Sequence, residues 1–470
     1  MKKIYQYRKM VMFLVAALIV AIMTSVFSYT WLRVYSINGA VAEPVLGRGN
    51  DVLVGMYAVL CILFFKLMGC FRVGYLRVYD TLFHQFGAVL CVNGFMYVQL
   101  CLTCRWSFGD HIGPMVAMTG VDVIISIFWA LICRAIYTRV SHPRDLLVIY
   151  GEYRPDNLVH KLSSRPDKYL VKEAISYETD MGIIQRKIKE HGSVVLTDIP
   201  SQLRNDLLKF CYEHDIRCYC VPKISDIMVI GAARINLFDT PLLLMRNHGI
   251  SLGQRSLKRA FDIVASIVGL ILASPVMLVI ALCIKLYDGG PVFFTQDRLT
   301  KDGKIFKILK FRSMRVDNGH EGYCLTRKND ERVTPIGKIL RNIHFDELPQ
   351  LINILKGDMS VVGPRPECPD LAEEYRKMIP EFHFRLKVRA GLTGFAQVYG
   401  KYNTTPYDKL KLDLTYIERY SFLLDLQLIA MTLKILFQKE NTEGIESWQT
   451  TAATKDNLEK MEKERVENPL

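Results

Sequence analysis

The chain has 470 residues, of which 50% are hydrophobic, and its formal net charge is +13 at pH 7. This length exceeds that of one ordinary domain, so several structural units are expected. The hydrophobic share and the positive mean hydropathy exclude an ordinary soluble protein and predict membrane segments. The positive charge predicts an anionic partner. Nucleic acid is disfavoured because no helix-turn-helix or zinc-finger pattern accompanies the charge.

Four apolar stretches lie in the first third of the chain, each close to the roughly 20 residues that a helix needs to cross the hydrocarbon. They occupy residues 11–32, 52–71, 81–103 and 114–137. Basic residues precede the first stretch and follow the second and the fourth, so both ends of the group are predicted to lie in the cytoplasm. No clear cleavage signal follows the first stretch. Residues 1–141 are therefore predicted to form a four-helix transmembrane bundle.

Residues 142–250 change pattern. Short buried strands at 145–151, 192–198 and 216–222 alternate with helical periodicity at 180–192 and 200–215. This alternation predicts βαβ units and a small parallel sheet. Gly151 follows the first strand without the further glycines of the dinucleotide fingerprint. A structural or regulatory module is therefore favoured over a nucleotide site.

Three of the twelve cysteines fall in this middle region. Cys218 and Cys220, like Cys101 and Cys104 earlier in the chain, have no second pair at the spacing of zinc ligands. Reduced, buried thiols are the favoured interpretation.

A second membrane element covers residues 258–285. Pro275 lies in its middle and leaves the carbonyl four residues earlier without its donor, and the hydroxyl of Ser274 is placed to replace that donor. Two arrangements are open: a kinked helix that crosses the bilayer, or a helix-break-helix hairpin that returns to the same face. Lys258 and Arg259 at one end and Lys285 at the other favour the hairpin.

Residues 344–350 read HFDELPQ and place two carboxylates, Asp346 and Glu347, side by side. Four stretches that carry Arg or Lys surround this pair, at 307–314, 335–342, 357–367 and 388–401. Guanidinium groups grip phosphate oxygens, and glycine lets the backbone approach a ligand. The pattern predicts a site for a polyanion and a metal ion.

Neighbouring helical residues point about 100° apart, so the two carboxylates converge only where the chain turns. Pro349 suits a first helical turn, which would leave Asp346 near an N-cap, where N–H groups favour phosphate. One carboxylate is then free to attack phosphorus while the other holds Mg²⁺. The alternative is a capping pair without chemistry.

Long motifs resemble those of the bacterial sugar transferase family, the monotopic polyprenyl-phosphate phosphoglycosyl transferases. They read LKRAFD, DGGPVFFTQDRLTKDGKIFKILKFRSM, LRNIHFDELPQLINILKGDMSVVGPRPE and RAGLTGFAQVYGKYNTTPYDKLKLDLTYIERYS. The resemblance runs from about residue 255 to 438. Phe345 before the acidic pair and Leu392 depart from the commoner motif without changing a catalytic group.

The resemblance implies transfer of a sugar-1-phosphate from a UDP-sugar to undecaprenyl (polyprenyl) phosphate, with release of UMP. This would be the first membrane step of exopolysaccharide, capsule or O-antigen synthesis. Asp346 would form a covalent phosphosugar, and Glu347, with Asp346 beside it, would hold Mg²⁺. Phosphate-binding residues would be Arg365 and, less directly, Lys310, Arg312 and Arg341. Because both successive attacking groups are ionised near pH 7, no histidine is assigned as a base.

The resemblance also implies an architecture. A transmembrane α-helical bundle would precede a degenerate Rossmann-like α/β domain at 142–250 and an α-rich catalytic domain at 251–440. In the catalytic domain a re-entrant helix at 258–285 would break at Ser274 and Pro275, and Lys258 and Arg259 would contact the headgroups of inner-membrane lipids. The catalytic domain would face the cytoplasm of a bacterial cell, and residues 441–470 would form a charged tail.

Two other functions remain open at this point. Transfer could be direct, in a ternary complex where Asp346 only binds metal, or the chain could be a silent membrane scaffold whose middle domain senses a nucleotide. Spacing does not reveal which sugar is transferred. The bundle and the middle domain are candidate surfaces for a homodimer.

Overall fold

The computed structural model describes residues 2–35, 48–71, 78–103, 111–140, 143–151, 155–245, 249–314, 332–400 and 404–436. The chain divides into two compact units, Met1–Lys223 and Ile224–Leu470. The division falls inside the predicted middle domain, so the last part of that domain packs with the second unit. The predicted domain limits at 141, 250 and 440 stay predictions, and the tail lies outside the described residues.

The first unit begins with long apolar helices. They are α1 (Lys2–Tyr29, continued by a π-helical turn at Thr30–Tyr35), α2 (Arg48–Leu67), α3 (Val78–Thr103) and α4 (Ile112–Val140). Each is long and apolar enough to cross a membrane, as the sequence predicts. Their mutual packing buries large side chains such as Phe27, Trp31 and Tyr57. The orientation of the bundle stays a prediction.

A polar network ties three of these helices together inside the bundle. The hydroxyl of Tyr57 on α2 donates to Oδ1 of Asn93 on α3 at 2.8 Å. The Asn93 amide donates to Asp122 and to Thr119 on α4, each at 3.0 Å. Because lipid offers no alternative partners, such bonds fix the helices against one another.

The second part of this unit is a four-stranded parallel sheet with the order β2-β1-β3-β4. Its elements are β1 (Arg144–Tyr150), α5 (Asp156–Ser163), β2 (Tyr169–Ser176), α6 (Met181–His191), β3 (Ser193–Thr197), α7 (Ser201–Glu213) and β4 (Arg217–Cys220). The predicted strands and helices are confirmed within about two residues, whereas β2 and α5 were missed. Strand β2 lies at the edge of the sheet and buries only Ile175 fully, and its sequence YLVKEAIS lacks the regular alternation of apolar and polar residues that marks a strand.

Gly151, in the middle region, has a steric reason to be glycine. It follows β1, and a Cβ at this position would overlap the carbonyl oxygen of Asp198, which follows β3. The residue is required for close backbone approach between neighbouring strand ends.

The second unit begins with α8 (Ile224–Ile230) and an antiparallel hairpin of β5 (Ala233–Leu237) and β6 (Thr240–Leu244). The long helix α9 follows (Leu252–Asp288). The later elements are β7 (Phe293–Leu299), β8 (Ile305–Phe311), α10 (Pro335–Asn342), α11 (Gln350–Lys356), β9 (Met359–Val362), α12 (Pro369–Met378), β10 (Ala390–Thr393), α13 (Phe395–Tyr399), α14 (Pro406–Glu418) and α15 (Phe422–Leu436). Strands β7 and β8 pair antiparallel, and β9 and β10 pair parallel.

Helix α9 is a single element of 37 residues that continues through Pro275. The carbonyl that Pro275 deprives of its donor belongs to Ile271, and the Ser274 hydroxyl donates to this oxygen at 2.9 Å. This contact is the replacement that the sequence predicts. The helix is continuous at this position, so the structure does not show the predicted break, and the predicted return of the chain to the same face of the membrane stays a prediction.

One face of α9 packs against the rest of the second unit in two places, in the first half of the helix and near its end. Asp262 and Ser266 are buried near its start, and Ile280 and Ile284 are buried near its end against Phe311. The opposite face is exposed and apolar, with Leu272, Leu278 and Leu286 more than 70% exposed. Such a stripe is typical of a surface that meets lipid.

Candidate active site

The acidic pair lies in a turn, as expected for neighbouring carboxylates that converge. Helix α10 is followed by His344 in the left-handed region (φ 57°), and Phe345–Glu347 then form a 3₁₀ turn. A non-glycine residue in this region stores strain, which is typical of functional sites. Helix α11 begins at Gln350, so Asp346 is not its N-cap. The capping alternative is therefore not supported by the geometry.

Glu347 is held by two cations. Its Oε1 accepts from Nζ of Lys310, on β8, at 2.7 Å and from the Arg365 guanidinium at 3.0 Å. Burial alone would raise the pKa of Glu347, but Lys310 and Arg365 together hold this pKa far below its ordinary value. Glu347 is therefore ionised throughout the neutral range.

Asp346 differs from its neighbour. Its residue is 8% exposed, and no side chain within the described parts of the chain forms a hydrogen bond or ion pair with its carboxylate. Burial raises the pKa of Asp346, and the positive charges of Lys310 and Arg341 partly offset this effect. A carboxylate with few hydrogen-bond donors is a stronger nucleophile than one whose lone pairs are occupied.

Arg341 and Arg312, the two other arginines that were predicted to bind phosphate, have different surroundings. The Arg341 Nε donates to the Ser313 hydroxyl at 2.8 Å, and its charge acts on Asp346. Arg312 is buried and forms an ion pair with Asp288, the last residue of α9. Arg312 thus anchors the end of the membrane helix, and the structure gives it no contact with the acidic pair.

A buried ionic cluster, missed by the sequence analysis, supports the loop that carries Arg365. This supporting cluster consists of Arg298, Glu367, Arg385, Lys409 and Asp413. The Arg385 guanidinium pairs with Asp413 at 2.7 Å and with Glu367 at 3.3 Å, and it donates to the backbone carbonyl of Arg365 at 2.9 Å. Lys409 pairs with Glu367, and Arg298 donates to the carbonyl of Pro366. The cluster fixes the backbone at Arg365 and at the residue that follows it.

Close backbone packing supports the same loop from another side. The N–H of Gly363 donates to the carbonyl of Thr393 at 2.8 Å, and the N–H of Gly391 donates to that of Pro364 at 2.8 Å. A Cβ at Gly363 would overlap the carbonyl of Arg389. Glycine at this position therefore permits the contact between two of the basic stretches seen in the sequence.

The predicted lipid anchors at the start of α9 bind protein groups instead. Lys258 is 8% exposed, and its Nζ pairs with Asp425 on α15 at 2.6 Å and donates to the Tyr416 hydroxyl at 3.1 Å. Arg259 donates to the carbonyls of Ile354 and Leu355 at the end of α11. An ammonium enclosed in this way is not directed at headgroups, so the expectation for Lys258 is corrected.

Asp262, one turn further along α9, was missed by the sequence analysis. Its Oδ1 accepts from the hydroxyl of Ser360 at 3.0 Å and from the backbone N–H of Val361 at 2.9 Å. Through these contacts the membrane helix is fixed to β9, whose end leads into the Arg365 loop. A buried acid in an apolar helical pattern is the signal that could have identified it.

The donor set of the acidic pair fits Mg²⁺. This hard cation takes carboxylate oxygens and is usually held by one or two carboxylates together with substrate phosphates. Asp346 and Glu347 supply two such groups. Among the described residues no cluster of three or more His, Cys, Asp or Glu side chains has the arrangement of a metal site. The residues therefore fit a metal shared with a phosphate ligand, and they do not form a complete protein cage.

Fold and site together define a membrane-associated protein whose acidic pair is set among cations suited to a phosphorylated ligand. The chain matches the model of the bacterial sugar transferase family over residues 253–439. It is 32% identical over 319 residues to a UDP-N-acetylgalactosamine-undecaprenyl-phosphate N-acetylgalactosaminephosphotransferase of Aeromonas hydrophila, a match that covers 65% of this chain and 70% of that protein. The chain belongs to the bacterial sugar transferase family.

Two further relatives are similar over shorter segments. A UDP-glucose:undecaprenyl-phosphate glucose-1-phosphate transferase of Klebsiella pneumoniae is 39% identical over 245 residues, or 51% of each chain. The exopolysaccharide production protein PSS of Rhizobium leguminosarum bv. phaseoli is 43% identical over 186 residues, which are 38% of this chain and 93% of that protein. The matched segment thus spans about half the length of the Klebsiella relative and nearly all of the Rhizobium protein.

Proposed function

We propose that this protein transfers a sugar-1-phosphate from a UDP-sugar to undecaprenyl phosphate and releases UMP. The observation that carries the proposal is the asymmetry of the acidic pair: Glu347 has two cations, whereas Asp346 has a carboxylate without a direct partner among the described residues. The names of the relatives support the substrate classes. The product would begin the synthesis of a bacterial exopolysaccharide, capsule or O-antigen.

The reaction we propose has two displacements at the same phosphorus. A carboxylate oxygen of Asp346 attacks the sugar-linked phosphate, the bond to UMP breaks, and an acyl phosphate forms. A phosphate oxygen of the acceptor then attacks, the acyl phosphate breaks, and the Asp346 carboxylate is regenerated. Both attacking groups are anions, so neither step needs a general base.

The cations of the site would stabilise the charge that moves during both displacements. Arg365 and Lys310 lie beside Glu347, where they can contact the diphosphate of the donor. Mg²⁺ held by Glu347 and Asp346 would neutralise phosphate charge and reduce its repulsion of the attacking carboxylate. Arg385 and Asp262 would keep the Arg365 loop and β9 in place during turnover.

We also propose that the catalytic unit remains on one side of the membrane, with α9 entering and leaving by the cytoplasmic face. A straight helix of this length would measure about 55 Å, more than a bilayer core. Lys258, near the start of the helix, pairs with Asp425, and Asp288, its last residue, pairs with Arg312. Both partners belong to the same compact unit. A perpendicular crossing would require that unit to reach both sides of the bilayer.

The test of activity uses the full-length chain in membranes or lipid nanodiscs with undecaprenyl phosphate, Mg²⁺ and a panel of UDP-sugars. UMP release from at least one donor is expected, and Asp346→Asn should abolish it. Glu373→Gln, an exposed acid on α12, serves as the control and should retain activity. Undiminished turnover of the Asp346→Asn variant would exclude Asp346 as the nucleophile.

Kinetics distinguish the covalent route from direct transfer. Parallel lines in double-reciprocal plots of initial rates are expected for two successive displacements, and intersecting lines would support a ternary complex. Incubation with donor alone should also leave a phosphosugar on the peptide that contains Asp346, visible by mass spectrometry.

The placement of the membrane helix has its own test. In a cysteine-depleted chain, single cysteines are placed at Gly253, in the first turn of α9, and at Lys304, an exposed residue with extended backbone beyond the end of α9. Gly253 has no neighbouring atom that a side chain would meet. Both should react with an impermeant maleimide only after the cells are lysed. Reaction of either one in intact spheroplasts would exclude entry and exit by the cytoplasmic face.

A further inference from the structure

Three thiols meet at the edge of the parallel sheet of the first unit, and the proposed reaction does not use them. Cys218 and Cys220 are two residues apart on β4, so their side chains lie on the same face of the strand. Their sulfurs are 3.7 Å apart. On α7, Cys211 is hydrogen-bonded to Cys218.

Exposure differs within this group. Cys211 is buried, Cys218 is half-buried and Cys220 is exposed. The hydrogen bond from Cys218 lowers the pKa of the Cys211 thiol, whereas hydrogen bonds to Cys211 and Cys220 raise that of Cys218. An oxidant in solution therefore meets Cys220 first, and Cys218 is the sulfur adjacent to it.

The arrangement favours sulfur–sulfur chemistry over metal binding. Within the described ranges these thiols do not form a group with metal-ligand geometry. The Cα atoms of residues i and i+2 on a strand are about 6.6 Å apart, near the upper limit for a disulfide. A bond between them would be strained, and strained exposed disulfides are the readily reduced ones.

We propose that Cys218 and Cys220 form a reversible thiol–disulfide site on the edge strand β4. A low-molecular-weight disulfide is the oxidant. The Cys220 thiolate attacks it, forms a mixed disulfide and releases one thiolate. The Cys218 thiol then gives its proton to water, its sulfur attacks the Cys220 sulfur, and the second external thiolate leaves. Two protein thiols lose two protons and two electrons, and the external disulfide is reduced to two thiols.

The test uses the full-length protein in lipid nanodiscs and oxidised glutathione as the oxidant. After free thiols are blocked, trypsin separates residues 210–217, which contain Cys211, from residues 218–223, which contain the other two. The 218–223 peptide should become lighter by two hydrogens and lose both alkylation sites. Dithiothreitol should restore them.

Matched variants define which thiols react. Cys220→Ser should abolish the two-hydrogen loss, and Cys211→Ser should leave it unchanged. The proposal is overturned if the 218–223 peptide remains doubly alkylated, carries only glutathione, or is joined to the 210–217 peptide through Cys211.

Discussion

Two neighbouring ionic regions of the second unit satisfy their acids differently. In the supporting cluster both acids have direct ion pairs: Glu367 with Arg385 and Lys409, and Asp413 with Arg385. Burial opposes the ionisation of Glu367, yet its cations lower its pKa to about 2. In the acidic pair, Lys310 and Arg365 likewise hold the pKa of Glu347 below its ordinary value although the group is buried. Asp346 has no directly paired cation among the described residues, and burial raises its pKa.

The comparison separates charges that hold structure from a charge that is available for chemistry. A buried ion pair resists loss of one partner, because the other charge would be left uncompensated. A buried carboxylate without a direct partner is costly to keep ionised, and such costs are concentrated at functional sites. An ionised carboxylate therefore has opposite consequences for stability at Glu367 and at Asp346.

The largest expected effect is at Asp346. Asp346→Asn should abolish UMP release and yet maintain or raise the melting temperature at pH 7. The folded-state pKa of this acid is raised above its unfolded value, so its ionised form reduces stability once the pH exceeds the unfolded pKa. Differential scanning fluorimetry in EDTA, beside the UMP assay, measures both quantities.

The matched substitution in the supporting cluster should have the reverse pattern of stability. Glu367→Gln removes the acid that pairs with Arg385 and Lys409. The folded-state pKa of Glu367 is lowered, so its ionised form stabilises the fold above the unfolded pKa, and its loss should lower the melting temperature at pH 7. A fall in melting temperature for Asp346→Asn as large as that for Glu367→Gln would contradict the distinction between the two acids.

The next effect is on stability alone. Arg385→Met would remove the direct partner of Asp413 and leave Lys409 and Arg298 as the remaining cations of the cluster, at a cost of about 3–5 kcal/mol, the range for breaking a buried ion pair. Urea unfolding of the detergent-solubilised protein measures the change. Lys301→Met removes an exposed pair with Asp302 and should change stability by less than about 1 kcal/mol. Equal effects of the two substitutions would show that the supporting cluster is not a structural element.

A smaller effect concerns the pH dependence of the reaction. The positive charge of Lys310 lowers the pKa of Asp346, so Lys310→Met should raise this pKa further. The carboxylate must be ionised to attack, and the acid limb of kcat/KM should therefore move to higher pH. Lys307→Met is the control, since Lys307 is exposed and points to the other face of β8. An acid limb that stays in place, or moves down, would contradict the role assigned to Lys310.

The sequence predicted local elements and the contacts between motifs better than it predicted the surroundings of individual side chains. The apolar helices and the parallel strands are confirmed. The structure brings Lys310 and Arg365 to Glu347, and their predicted binding of phosphate stays a prediction. The periodicity of apolar residues determines the elements, and charge with glycine marks the site.

The misses have a common physical cause. Arg312 and Lys258 were expected to contact phosphate and lipid headgroups, but each pairs with an acid distant in sequence, Asp288 and Asp425. Arg385 and Asp413 were missed for the same reason. Burial decides whether a charge faces a ligand or another side chain, and a single sequence does not report burial of a charged residue.

The smallest predicted effect is at the proline of α9. Ser274→Ala removes the hydroxyl that donates to the carbonyl of Ile271, which has lost its helical donor to Pro275. Interhelical and side-chain hydrogen bonds in membranes contribute about 0.6 kcal/mol on average, so a loss of this order is expected. Pro275→Ala restores the backbone donor at residue 275 and should suppress the effect of Ser274→Ala in a double-mutant cycle. Additive effects would mean that the hydroxyl does not compensate for the proline. In that case the adjacency of Ser274 and Pro275 would have to be explained by the shape of the helix rather than by its hydrogen bonding.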